Sequence, residues 1–157
     1  MDREEFTRRV LAAEDRLYRV SFGILRDRQD QMDAIQEAVV RAWENLDKLR
    51  RPEYFETWLT RILINRCYDI LKSRGRNVPL EEIPERPAPE TANRDLREAV
   101  RGLDPALRLP VVLHYMEGYK LREIAGMLGI PINTVSTRLM RAKKKLREQL
   151  RDKEDRA

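Results

Sequence analysis

A single cysteine, Cys67, in 157 residues rules out an internal disulfide, and with it a fold stapled for an oxidising compartment. There is also only one histidine, His114. A zinc site needs about four ligands at set spacings, and no such cluster exists, so no metal and no cofactor are expected. Cys67 and His114 fall in different predicted domains, which leaves both as packing residues rather than a nucleophile pair. No apolar run reaches the ~18 residues of a membrane span. The first residues, MDREEFTRRV, are charged throughout and do not read as a signal peptide, so the expected location is the cytoplasm. Only six glycines are present, and none form a phosphate-cradling loop. Strand alternation is missing, as is any paired-carboxylate constellation. An enzyme is not expected.

What is abundant is charge, 38% of residues, with a net +5. A basic balance suits nucleic acid or another anionic surface. Apolar residues recur at spacings of three and four, the mark of amphipathic helices. The spacing predicts a first helix over 3–25, with Phe6, Val10, Leu17, Val20 and Ile24 on one stripe. A second, over 30–46, would bury Met32, Ile35, Val39, Trp43 and Leu46. A third, over 53–73, would bury Phe55, Trp58, Leu59, Ile62, Ile70 and Leu71. Pro79, Pro84, Pro87 and Pro89, among four glutamates, then interrupt any helix. Residues 77–93 therefore read as an acidic tether. Beyond it, Asn93 is placed to cap a helix through Leu103, and Asp104-Pro105 to start another that Pro110 disturbs. The expected fold is all-α: two small helical domains, an N-terminal three- or four-helix bundle and a C-terminal helix-turn-helix domain, joined by a flexible linker.

The C-terminal stretch YKLREIAGMLGIPINTVSTRLMRAKKKL is the most informative. Leu121, Ile124, Ala125 and Leu128 make a short amphipathic helix. Gly129 suits a left-handed turn. Ile132, Val135, Leu139, Ala142, Leu146 and Leu150 then form the seam of a longer helix. Short helix, glycine turn and longer helix make a helix-turn-helix. Ala125 would let the two helices cross closely. Away from the seam stand Asn133, Thr134, Ser136, Thr137, Arg138 and Arg141, at the end that enters the major groove in this motif. Arg pairs with guanine, Asn with adenine, and hydroxyls with phosphate or base. Lys143, Lys144, Lys145 and Arg147 would attract phosphates without regard to sequence. The competing reading is a solvated bundle face. From Arg138 to Arg151, however, seven basic residues face one acid, Glu148, whereas a solvated helix mixes signs.

Three segments, DAIQEAVVRAWENL, FETWLTRILINRCYDILKSRGR and LREIAGMLGIPINTVSTRLMRAKKKLREQL, occur in order. Together they resemble bacterial RNA polymerase sigma factors of the extracytoplasmic-function group. The resemblance implies a promoter-specificity subunit. Its region 2 domain, 1–76, would bind core polymerase through the beta-prime coiled coil and open the minus-ten element. Its region 4 domain, 94–151, would bind the minus-thirty-five element and the beta flap. The linker, 77–93, would join them, with a charged tail at 152–157. An anti-sigma factor, often membrane-bound, commonly holds such proteins inactive. Asp33, Gln36 and Glu37 match the family's polymerase-binding D-x-x-Q-E. Asn65 matches the asparagine beside the pocket for a flipped minus-ten base, which needs hydrogen bonds on its edge. Leu49, Arg50 and Arg51 lie in the loop that would complete that pocket. Arg61, Arg66, Lys72, Arg74 and Arg76 would track the single strand. Thr134, Val135 and Arg138 match T-V-x-S-R in region 4, where Thr134, Arg138 and their neighbours through Lys144 and Lys145 would face DNA. Departures from the family pattern include Val39 for a common aromatic, Asn133 for a glycine, Ser136 for a lysine and Thr137 for a serine. The loop KLRRPEY also lacks the glycine expected there. The alternative is a stand-alone helix-turn-helix repressor or activator. Against it stands an N-terminal domain with its own basic helix and no evident dimer seam.

Overall fold

The computed structural model describes residues 1–74 and 94–156. The expected acidic tether at 77–93, with Asn93 and Arg76, lies outside them. The chain divides into two compact units, Met1–Glu82 and Ile83–Ala157. All regular structure among the described residues is helical.

The first unit packs α1 (Arg3–Phe22), α2 (Arg28–Glu44) and α3 (Phe55–Ser73) around one core. Asp2 caps α1 by accepting from the Glu5 amide at 2.8 Å, and Asp27 caps α2 by accepting from the Gln29 amide at 2.7 Å. Each cap satisfies an amide that the first helical turn leaves without a partner. Two short 3₁₀ turns, Leu46–Lys48 and Pro52–Tyr54, carry the chain from α2 to α3. Arg9 pins the second by donating to the Pro52 carbonyl at 2.7 Å. Phe6 sits edge-on to Trp43 and Phe55, with centroids 5.1 and 5.6 Å apart.

The buried face of α2 differs from the expected one. Ala34, Ala38 and Ala42 point into the core, with Gln31 and Asp30, while Met32 and Trp43 are exposed and Ile35 and Val39 half-buried. At about 100° per residue, the face is rotated by roughly a quarter turn or more from the large apolar residues. The cause is the packing distance. A stripe of alanines lets α2 lie close on α3, whose own Leu59, Leu63, Ile64 and Cys67 are buried in the same core. Bulky side chains there would force the axes apart.

The second unit packs α4 (Arg94–Arg101), α5 (Pro105–Val111) and α6 (Leu121–Leu128) against α7 (Ile132–Arg156). Pro105 stands at the first position of α5 as expected. Pro110 sits inside α5, where it removes one amide donor. The chain then widens into a π-type turn, Val112–Met116, with the Glu117 amide donating to the Val112 carbonyl at 3.0 Å. Arg108 is 1% exposed, and its Nη1 donates to the carbonyls of Arg101 (3.0 Å) and Leu103 (3.3 Å). A buried guanidinium thus serves the negative end of the α4 dipole. Gly129 has φ +67°, and the Gly129 and Ile130 amides both donate to the Ala125 carbonyl. This is the left-handed helix ending that glycine permits. On α7 the seam is Val135, Leu139 and Ala142, with Leu146 and Leu150 half-buried; Ile132 is exposed rather than part of it. The helix runs on to Arg156, so 152–156, expected as a charged tail, is helical. Its charged residues are fair helix formers and extend a helix already nucleated.

Candidate nucleic-acid interface

In the second unit the helix-turn-helix is α6, the Gly129 turn and α7. At about 100° per residue, Thr134, Arg138, Arg141 and Lys145 share one face of α7, and Asn133, Thr137 and Lys144 continue the same arc away from the seam. Asn133, Thr137, Arg141, Lys144 and Lys145 are exposed, and Thr134 and Arg138 half-buried at the edge of the α6 contact. These seven can meet one groove together. Ser136 lies about 160° round the helix from Thr134 but only about 60° from Asn133, so it stands half-buried at the opposite edge of this polar arc. Its flank is shared with Met140, Lys143 and Arg147. Lys143, expected among the phosphate-seeking residues, has its ammonium 5.4 Å from the Tyr115 ring centroid instead. The Thr137 hydroxyl donates to the Asn133 carbonyl at 2.9 Å, so it meets a ligand as an acceptor. That suits a base amine better than a phosphate oxygen.

In the first unit, Arg61, Asn65 and Lys72 are exposed along one stripe of α3, with half-buried Tyr68 between them. A cation, an amide, a ring and a second cation in line form a strip suited to an unpaired strand. Leu49, half-buried, and Arg50 and Arg51, exposed, occupy the loop between the two 3₁₀ turns. That loop enters α3 at Phe55, about 15 Å of helix below Asn65. Among the described residues no hydrogen bond or ion pair joins the loop to Asn65. Trp58 is half-buried, 6.2 Å centroid to centroid from Phe55, in keeping with core packing.

Two of the expected strand-tracking arginines are engaged within the protein. Arg74 pairs with Asp27 at 3.9 Å and with the nearly buried Asp30. Burial pushes the Asp30 carboxyl above its ordinary 3.8, although Arg74 pulls the other way. Arg66 donates through Nε to Glu37 Oε2, and lies 3.9 Å from Asp69. The hydrogen bond to Glu37 raises the guanidinium above its usual value.

Asp33, Gln36 and Glu37 lie on the side of α2 away from the alanine stripe. Gln36 and Glu37 are exposed, and Asp33, half-buried, accepts from Gln29 Nε2 at 2.9 Å. Val40, one turn on, is 56% exposed, and Met32 and Trp43 flank the same side. This apolar addition to the acid-amide face went unread in the sequence. The signal was there: large apolar residues beside D-x-x-Q-E that the alanines make unnecessary to the core.

Burial pushes the Cys67 thiol up to about 12, so it carries no thiolate near neutral pH. His114 Nδ1 donates to the Tyr119 carbonyl at 2.8 Å. Among the described residues, no three His, Cys, Asp or Glu side chains gather as metal ligands would.

An all-α chain with a helix-turn-helix in one unit and a basic polar helix stripe in the other has the build of a DNA-binding protein. Sigma-70 region 2 matches residues 10–77, and Sigma-70, region 4 matches residues 93–146. The chain is 32% identical over 143 residues to the RNA polymerase sigma factor SigV of Bacillus subtilis, covering 88% of this chain and 86% of that protein. It is 33% identical over 150 residues to the ECF RNA polymerase sigma factor SigE of Mycolicibacterium smegmatis, covering 87% of this chain and 58% of the relative's length. Its fold is similar to that of the sigma factor RpoE from Bartonella quintana, solved in complex with the anti-sigma factor NepR. There the TM-score is 0.82 at 24% identity, over 94% of this chain and 98% of the other. The chain belongs to the extracytoplasmic-function sigma factors, the promoter-specificity subunits of bacterial RNA polymerase.

Proposed function

We propose that the two units divide one promoter between them: region 2 within 1–76, region 4 within 94–151. In this reading the α7 arc of Asn133, Thr134, Thr137, Arg138, Arg141, Lys144 and Lys145 reads the minus-thirty-five duplex. The α3 stripe of Arg61, Asn65 and Lys72, with Arg66 and the Leu49–Arg50–Arg51 loop, takes the opened minus-ten strand. Asn65 offers both donor and acceptor to the edge of a flipped base. Asp33, Gln36 and Glu37, extended by Val40, meet the beta-prime coiled coil of the core polymerase, and region 4 also meets the beta flap. The chain acts without catalysing anything itself, in the cytoplasm. No described helix is long and apolar enough to cross a membrane. An anti-sigma factor is a further partner, since a sigma factor of the same fold was solved with one; it would be membrane-bound in many systems.

The observation that carries this reading is that each compact unit presents its own polar, basic helix face. A repressor reading two half-sites needs two copies of one such face, whereas a sigma subunit needs two different ones held by a larger enzyme. The test is Asn65→Ala in reconstituted holoenzyme. Open-complex formation, read by permanganate reactivity, should drop while core-polymerase affinity stays unchanged. Loss of both together would make Asn65 a structural residue.

A further inference from the structure

Glu37 and Arg66 belong to two different surfaces. Glu37 stands on α2 in the polymerase-facing D-x-x-Q-E set, and Arg66 on α3, about 100° round the helix from Asn65, at the edge of the strand-facing set. In the free chain the two side chains hold each other across the α2–α3 contact, through Arg66 Nε and Glu37 Oε2. Both remain in reach of outside partners, at 30% exposure for the arginine and 47% for the glutamate. A second cation drawn to the same carboxylate would divide its charge and repel the guanidinium.

We propose that this pair couples the two surfaces: a polymerase cation that engages Glu37 frees Arg66 for the unpaired DNA strand. The inference rests on the assignment of these two faces made above, and adds a regulatory link between them. Before the polymerase arrives, Arg66 is held against α2 and contributes less to strand binding. After it arrives, the guanidinium is free to swing toward Asn65, about 100° round α3 from it. Asp69, 3.9 Å from Arg66, then offers only a weaker hold. Because coupling is reciprocal, a strand that captures Arg66 exposes Glu37 and strengthens polymerase binding by the same factor. The pair is partly solvated, so the effect is small, and it falls with salt.

The test uses the full-length chain without polymerase and a short fluorescein-labelled single strand of random sequence, with binding read by anisotropy at low salt. Four proteins are compared: wild type, Glu37→Gln, Arg66→Gln and the double variant. Thermal melts confirm that each is folded. Arg66→Gln should weaken binding, and Glu37→Gln should tighten it by about two- to five-fold, the strength of a surface ion pair. In the Arg66→Gln background, Glu37→Gln should change nothing. An equal gain in both backgrounds would mean that removing one negative charge acts at a distance, and would overturn the coupling. No gain from Glu37→Gln, with Arg66→Gln still weakening binding, would overturn it while leaving Arg66 in the strand-facing set. If Arg66→Gln has no effect, that assignment fails and the coupling with it.

Discussion

Arg138 and Ser136 stand two residues apart on α7 and face opposite flanks of the helix. The sequence put both in one recognition set because both lie at the polar N-terminal end. Helical geometry puts them at the two edges of the polar arc, where a long guanidinium reaches further than a short hydroxyl and pairs in bidentate fashion with a base. Arg138→Ala should weaken binding of holoenzyme to its upstream element by about 1–3 kcal/mol. Ser136→Ala should stay within about 0.5 kcal/mol. Competition binding on the mapped promoter measures both, and equal losses would give the two edges of the arc an equal share in recognition. A second residue-scale expectation concerns pH. Asp30 is buried beside Arg74, and burial wins, so its carboxyl titrates above 3.8 in the folded chain. A raised folded value favours the protonated form; its contribution is complete below the unfolded value and is lost as pH rises through the folded one. Asp30→Asn should therefore gain stability relative to wild type as pH rises from about 4 to about 6, by chemical denaturation. A flat difference across that range would mean that Arg74 offsets the burial in full.

At the scale of the element, helix positions were legible and the inward face of α2 was not. Periodicity, the Asp104-Pro105 start and the Gly129 turn placed the helix ends to within a few residues. The α2 face was misread because alanine carries little hydrophobic signal, while its value here is its small size. A distance between two helices is a property of the pair and is not written in either sequence alone. The same reason hid the Glu37–Arg66 and Arg74–Asp30 pairs, each of which joins α2 to α3 across about 30 to 45 residues. It also hid Arg108, whose buried guanidinium has a role only once α4 and α5 are placed. The recognition helix was legible because its signal is local: a short helix, a left-handed glycine and a one-signed polar face. A prediction follows from the alanine stripe. Ala38→Leu, at a position 1% exposed, should destabilise the first unit by about 1–3 kcal/mol through overpacking, read by thermal or urea melts. A neutral result would mean that α2 and α3 have slack to accept the added volume.

At the scale of the whole molecule, the account is a division of labour. One unit carries an acid-amide and apolar face on α2 beside a basic polar stripe on α3. The other carries a helix-turn-helix. Neither unit is large, and a stand-alone helix-turn-helix regulator draws on two half-sites. The polymerase is the second anchor. The most direct test is run-off transcription with purified core polymerase on genomic fragments, with and without this chain, followed by start-site mapping. The account predicts discrete start sites only when both proteins are present, with weak duplex binding by the chain alone. Tight, polymerase-independent binding of a dimer to a palindrome, with no new start sites, would contradict it.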